Sequence, residues 1–597
     1  MKKTLVFLTI CLVAITTIAL LGTAQTAGQA EFRTAIGYPP PPAWHGNPFG
    51  PGGVGGLWWI LYEPAFYFIP GTGEFIPRLA VSKELLDGGE RLILRLREGV
   101  LWHDGDPFDS KDILTTWNLI RALYAWPREI VDIEALDDHT VEFRFVGPLP
   151  ILSTVFMSEP IRAAHHIFGE WDGEARAIIE LQKEVWALED RDEPVPEALK
   201  AELTEKRAAL TEEVVAFKPP GLIPIGTGAF SFVEVHPFEI YLTKFADYWA
   251  AETTYIDALR LYRWVAHELL WGQLQTGEID ASHPATGKDL TEAMLAMQPK
   301  LRLTLAPDLA EFVIFPNHRR FPFNIPEFRQ ALLHVLCRTT IRDVSMPFGL
   351  AVDVFNHGVL KSLEGAWLSP EFLAGLTRYE HNTERAETLL LELGFARGPD
   401  GNWLDPEGQP LEFVMRPYGP HTDWVLAGTE AAAQLTAFGI PTSVLTVPPG
   451  MRPTVYGAGE FDLGIEFGAA WWGTGHPYTG YDRIFAGAWL QEFAGYEKYP
   501  VVTIDGVVYD TGAILDELAV TVDPERTREL VERLAFVMNE WAPVLSFAEK
   551  TLMIFHVDGV RVTGWPDADD PVWTLAPGGI ERVYMLLLTT GVLRPVE

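Results

Sequence analysis

The chain has 597 residues, enough for roughly two to four domains, and its 48% hydrophobic and 12% aromatic content supplies packed cores rather than disorder. A formal charge of −35 at pH 7 leaves no basic surface to neutralise phosphates, which excludes a nucleic-acid partner and favours solubility. Of two cysteines, Cys11 sits in the leader and Cys337 stands alone, so neither an internal disulfide nor a cysteine metal site is expected.

Lys2 and Lys3 precede an uncharged apolar run from Thr4 to Leu21, and small residues follow, with Gly28 and Ala30 placed for a cut before Glu31. This is the layout of a secretory signal peptide over residues 1–30 and predicts export to a periplasm or the cell exterior. An uncleaved membrane anchor is the alternative, because the run approaches spanning length.

Further along, Leu92, Leu94 and Leu96 alternate with Arg91, Arg95 and Arg97, which is strand periodicity. The turn "HDGDP" follows, and then Ile113, Trp117, Ile120 and Tyr124 share one helical face. Asp109 fits the N-cap and Asp112 its reciprocal partner three residues on. The acidic residues here lack EF-hand spacing, so the cluster reads as a joint between strand and helix rather than a calcium loop. "VDIEALDDHTVEFRF" reads as a hairpin turning at Asp137-Asp138. Residues 173–215 are highly charged, with Leu199, Leu203, Leu210 and Val214 at helical spacing and Pro194 and Pro196 breaking the run. They predict a helical hairpin inserted at the surface.

The second half alternates helix and strand. "FRQALLHVLCRTTIRDV" predicts one helix capped near Asn324, "NTERAETLLLELGF" one ending at Gly394, and "DGNWLDPEGQPLEFVMRP" a small hairpin. A helix over about 423–438 leads into strand "IPTSVLTV", "FDLGIEF" is another strand, and Asp523-Pro524 opens a long helix. The class is α/β with mixed sheets.

Several segments in order resemble the solute-binding proteins of ABC importers, family 5, the oligopeptide, dipeptide and nickel class with its cello-oligosaccharide-type members. "LREGVLWHDGDPFDSKDI" is similar to that family's strand–turn–helix signature. "IGTGAFSFVEVHPFEIYLTKFADYW", "FPNHRRFPFNIPEFRQALLHVLCRTTI", "AETLLLELGF" with "DGNW", and "WAPVLSF" resemble its later segments. The resemblance implies a three-domain periplasmic-binding-protein-like fold of the class II or cluster C type, with two lobes closing by a hinge. Domain I is expected over 31–58, 216–305 and 545–597, domain II over 59–215 with the helical hairpin, and domain III over 306–544. The function implied is capture of a small-molecule solute, an oligosaccharide or short peptide, in the cleft between domains I and III. Delivery would be to ABC permease subunits, by a protein that is not an enzyme, needs no cofactor or metal and acts as a monomer.

Cleft walls of this kind need aromatic faces and a few polar groups. The candidate ligand-binding residues are Trp58, Trp59, Asn317, Glu466, Trp471, Trp472, His476 and Tyr478, with the paired tryptophans of "GAAWWGTGHPYTGY" foremost. Peptide-binding members of the family carry an aspartate shortly after a tryptophan in that segment. Thr474 occupies the place here, and "WWGTGHP" holds no acid. An ammonium buried without a carboxylate is costly, so an oligosaccharide is preferred to a peptide, with Glu466 as the one substitute carboxylate. His165-His166 keeps a nickel chelate open as a further solute. The rival class is a secreted glycoside hydrolase; no G-x-S-x-G or H-E-x-x-H supports other hydrolytic chemistry.

Overall fold

The computed structural model describes residues 29–149, 151–191, 193–487 and 489–597, so the expected signal segment falls almost wholly outside the described residues. Among the described residues the backbone is a mixed sheet of eleven strands. Two long antiparallel strands run through the middle, Leu301–Pro316 and Leu545–Val557. On one side lie Ala281–Ser282, Glu31–Ile36, Ala258–Arg263, Glu239–Lys244 and Phe230–Val235; on the other lie Leu463–Ala470, Phe413–Arg416 and Thr442–Val444, and the short Leu350–Ala351 pairs with Leu545–Val557 off this path. The chain thus forms two α/β lobes joined by two crossing strands.

The crossing strands feed a different core at each end. Ala306, Leu552 and Ile554 belong to the core of the first lobe, whereas Phe312, Ile314, Leu545 and Phe547 belong to that of the second. Alternation sets the faces beyond: Val313 and Phe315 point to a third core on the opposite side of the sheet from Phe312 and Ile314. Between the ends the ladder slips. Pro307 pairs with Thr551, but the next partner of Glu549 is Glu311, and Leu309 sits in between at φ 52°.

A separate antiparallel sheet, Ala80–Leu86, Arg91–Leu96, Thr140–Phe145 and Ile130–Asp137, carries the hairpin expected at Asp137-Asp138. Leu92 and Phe143 of this sheet, with Trp117 of the helix Ser110–Tyr124 packed edge-on to Phe143, are continuous with Phe230, Leu261 and Tyr584, so this unit and the first lobe share one hydrophobic core. The helix Ser110–Tyr124 has the expected capping box: Asp109 accepts from the Lys111 N–H at 2.7 Å, and Asp112 accepts from the Asp109 N–H at 2.9 Å. Asp112 is more than a cap. Buried, it also accepts from the Trp102 indole at 3.1 Å and the His165 N–H at 2.7 Å.

His103 explains the rest of that turn. Its ring contacts the Gly228 carbonyl at 2.8 Å and the Gly226 N–H at 3.2 Å, fastening one sequence motif to the other. Gly226 and Gly228 must lack side chains, because a Cβ at either would lie 2.0 or 2.3 Å from the carbonyls of Leu61 and Ile60. The helical hairpin is present as Asp172–Glu189 and Glu197–Ala216, with Leu203, Leu210 and Val214 buried against Leu119 and Ala122.

Two expectations need correction. The helix foreseen from Phe328 to Val344 is two, Pro326–Val335 and Arg338–Ser345; its start is as foreseen, with Ile325, beside Asn324, as N-cap and Pro326 in the first turn. The chain turns at Leu336-Cys337, where the Cys337 N–H donates to Gln434 instead of continuing the helix. The small hairpin after Gly394 closes where foreseen, through the Leu404–Pro410 bridge and the Leu411 N–H donating to the Trp403 carbonyl at 2.9 Å, but Trp403–Leu404 also pairs with Ala396–Arg397, and Phe413–Arg416 joins the large sheet.

Candidate functional site

The two lobes face each other at the slipped ladder. From the first lobe come Trp264 and His267, just past the strand Ala258–Arg263, and His283, just past Ala281–Ser282. From the second come Tyr418, His421, Asp423 and Trp424, where the strand Phe413–Arg416 hands over to the helix Thr422–Ala437. Both strands have parallel neighbours, and carboxyl ends of parallel strands are where open α/β sheets leave a crevice. The faces meet: the ring centroids of Trp264 and His421 are 5.3 Å apart, those of His267 and His421 5.4 Å, and Thr422 donates to Glu268 at 2.7 Å.

A line of rings continues along the second lobe. His421 stacks on Trp424 at 4.8 Å, Trp424 meets Phe467 at 5.6 Å, and Phe467 meets Trp472 edge-on at 4.9 Å. Charge is present but paired. Lys550, on the second crossing strand, reaches Asp308 at 3.5 Å and lies over the rings of Phe312 and Phe467. Burial pushes the Asp308 carboxyl up to about 6, against the pull of Lys550. Burial also drives His267 down, His421 well down and His283 to about 3, which leaves three neutral imidazoles. One ligand-type atom from each of His267, His421 and Asp423 lies within 4.8 Å of the others.

The candidate residues named from sequence divide. Trp472 reaches the junction: its indole donates to the Asp308 carbonyl at 2.8 Å, and a Cβ at Gly578 in the first lobe would touch it at 3.4 Å. Trp59 lies against the next glycine, Gly579, under the Arg582 guanidinium at 4.8 Å. Trp58 instead packs in the first lobe below Arg162 and beside Tyr62. Tyr478 touches the cores of both lobes. His476 caps the helix Pro477–Phe485, accepting from the Tyr478 N–H at 3.1 Å, and burial lowers it to about 4.

Trp471 is not brought to the cleft. It is fully buried in the third core, edge-on to Trp367. The cause is a bulge: Ala310 pairs with Ala470 but Phe312 pairs with Phe467, so the strand Leu463–Ala470 carries one extra residue. That residue reverses the alternation, and Trp472 rather than Trp471 shares the face of Phe467. Asn317 is likewise internal, its amide donating to the carbonyls of Gly459 and Phe461. Glu466 is buried and already engaged, ion-paired with Arg452, with Arg483 at 3.7 Å and the Phe467 N–H at 3.0 Å. His165 and His166 lie elsewhere, bonded to Thr115 and to Asp104.

Sequence reasoning missed Trp264, His267, Tyr418, His421, Asp423 and Trp424. The available signal was "RPYGPHTDW": a Gly/Pro turn between strand and helix that concentrates aromatic and ligating side chains where a parallel sheet opens.

Residues 74–490 match the model of the bacterial extracellular solute-binding proteins, family 5 Middle. The chain belongs to this family. It is an extracytoplasmic solute-binding protein that delivers a small molecule to an ABC importer, in a family whose members are in general transport proteins rather than catalysts. It is similar to the mannohexaose-bound periplasmic oligopeptide-binding protein of Thermotoga maritima, with a TM-score of 0.74, 20% identity and coverage of 94% of this chain and 99% of that one. The dipeptide-binding protein of Escherichia coli is 22% identical over 82% of this chain and 84% of its own length. A probable ABC transporter-binding protein of Deinococcus radiodurans is 21% identical over 58% of this chain, and the match spans 57% of that protein.

Proposed function

We propose that this family 5 protein captures a neutral oligosaccharide between its lobes and passes it, as a monomer, to its permease subunits. The observation that carries the reading is the part-exposed rings of His421, Phe467 and Trp472, joined through the buried Trp424 and bordered by a tryptophan loop without an acid. Rings of this kind offer flat apolar faces to sugars, and the substitute carboxylate, Glu466, is held by two guanidinium groups. The mannohexaose bound by the Thermotoga maritima protein supports the same chemistry. The division 31–58, 216–305 and 545–597 against 306–544 places the hinge at the slipped ladder around Leu309, where backbone pairing of the crossing strands is interrupted. A second reading, a peptide whose ammonium reaches Asp423, is favoured by one fact: the Asp423 Oδ2 is buried without a hydrogen-bond partner.

A thermal-shift screen of the purified protein with cello-, xylo- and manno-oligosaccharides and short peptides tests this, since a ligand bound only by the folded state raises Tm. Stabilisation by a sugar series with Kd insensitive to salt supports the proposal. Salt-sensitive stabilisation by free-amine peptides alone, lost in Asp423→Asn, replaces it with the peptide reading.

A further inference from the structure

Away from the cleft, the unit that carries the helical hairpin meets the second lobe along another seam, and a cavity of about 390 Å³ opens there. Glu129, Val131 and Val146 come from the separate antiparallel sheet and its approaches. Trp186 comes from the first hairpin helix, Asp172–Glu189, and Asp516 and Val520 come from the second-lobe helix Thr511–Val520. We propose that this cavity is a second ligand site, which takes a small organic amine with an apolar body in its cationic form. The inserted hairpin then supplies one wall of the site, a role that solute capture in the cleft does not give it.

The walls suit an apolar body. Val131 is 44% exposed and Val146 65% exposed, the Trp186 ring is half-buried, and Val520 continues the patch towards the core of the first lobe. A ligand of this kind covers those faces, and the indole offers it a flat surface on which to pack. The charges suit an ammonium, because they are unequally matched. The cations are held: Arg128 pairs with Asp190 and lies over the Trp186 ring at 5.8 Å, and Lys183 pairs with Glu180 at 2.7 Å. The carboxylates are free. The Glu129 Oε2 is buried without a hydrogen-bond partner, and Asp516 has neither an ion pair nor a hydrogen bond among the described residues. Asp482 stands near both, bonded by the Tyr499 hydroxyl at 3.4 Å and countered by Lys498, and it adds like charge. Burial raises the Glu129 and Asp516 carboxyls, and the neighbouring acids raise Glu129 further. An ammonium set against these two groups supplies both the missing donors and the missing charge. A bare metal ion would leave the valine and tryptophan walls in water, and an anion would meet two unpaired carboxylates. An amine uses the whole lining.

The test uses the full chain without oligosaccharide and does not depend on the sugar reading, which stands whether or not an amine binds. Phenethylamine is titrated by ligand-observed NMR beside phenethyl alcohol, its neutral isostere, and the anion hydrocinnamate. The wild type is expected to bind the amine saturably, with the alcohol and the anion about tenfold weaker or worse. Glu129→Gln should weaken the amine by about tenfold, and Asp516→Asn and Trp186→Ala by roughly threefold each. Asp423→Asn, in the cleft, should leave its affinity unchanged. Asp516 is exposed and Trp186 half-buried, so their variants keep the site testable should Glu129→Gln fail to fold. Absence of saturable binding, equal affinity for the alcohol, loss of binding in Asp423→Asn, or unchanged affinity in any folded variant of the cavity overturns the proposal.

Discussion

Adjacent tryptophans should respond to truncation in opposite ways. Trp471 is fully buried against Trp367, and Gly480 is a glycine because a Cβ there would lie 2.5 Å from the indole. Trp471→Ala should therefore cost about 3–5 kcal/mol of stability, the range for emptying a buried tryptophan site, and leave solute affinity nearly intact in the folded fraction. Trp472 is half-buried, bonded to the Asp308 carbonyl and edge-on to Phe467, with the Arg483 guanidinium 5.5 Å over its ring. Removing a stacking face of that size forfeits about 1.5–3 kcal/mol of solute contact. At 1.4 kcal/mol per tenfold, Trp472→Ala should weaken binding roughly ten- to a hundredfold, with a smaller fall in Tm. Calorimetry with the best oligosaccharide of the screen, paired with thermal melts of both variants, measures the contrast. Loss of affinity in Trp471→Ala at unchanged Tm, with Trp472→Ala binding normally, would refute the bulge-based assignment of faces.

Asp109→Ala should cost about 1 kcal/mol as a lost cap, whereas Asp112→Ala should cost about 3 kcal/mol because it also strands the Trp102 indole and the His165 N–H; neither should alter solute affinity. Chemical denaturation of the two single variants checks the ratio. Deleting residues 175–213 with a short Gly/Ser bridge should leave affinity near that of the wild type but lower Tm, since Leu119 and Trp171 lose the cover of Leu203 and Leu210. Calorimetry beside a melt tests both halves of that statement. Glu311 accepts from Ser546 and stands opposite Glu549; burial first, and then the Glu549 charge, pushes its carboxyl up to about 8. A raised folded-state value means that the native chain holds a proton the unfolded chain has released, so this group lowers stability as pH rises from about 4.5 to 8. Glu311→Gln should thus flatten the decline in denaturation midpoint over that window, and an identical pH profile would disprove the linkage.

Local chemistry in the sequence determined much of the scaffold. The alternation in Arg91–Leu96, the Asp109–Asp112 box, the helical hairpin and the Asp523-Pro524 helix start are written in contacts a few residues apart, and they stand as read. The order of the motifs also identified the family. What local pattern does not contain is a one-residue surplus between paired strands. Whether Trp471 or Trp472 faces the cleft depends on the extra residue opposite Ala310–Phe312, and that is a property of the pairing, not of either strand alone. The same holds for Glu466, an unengaged carboxylate on paper until the fold sets Arg452 and Arg483 beside it. His267 and His421, 154 residues apart in sequence, meet ring to ring only because two crossing strands bring the carboxyl ends of separate parallel strands face to face.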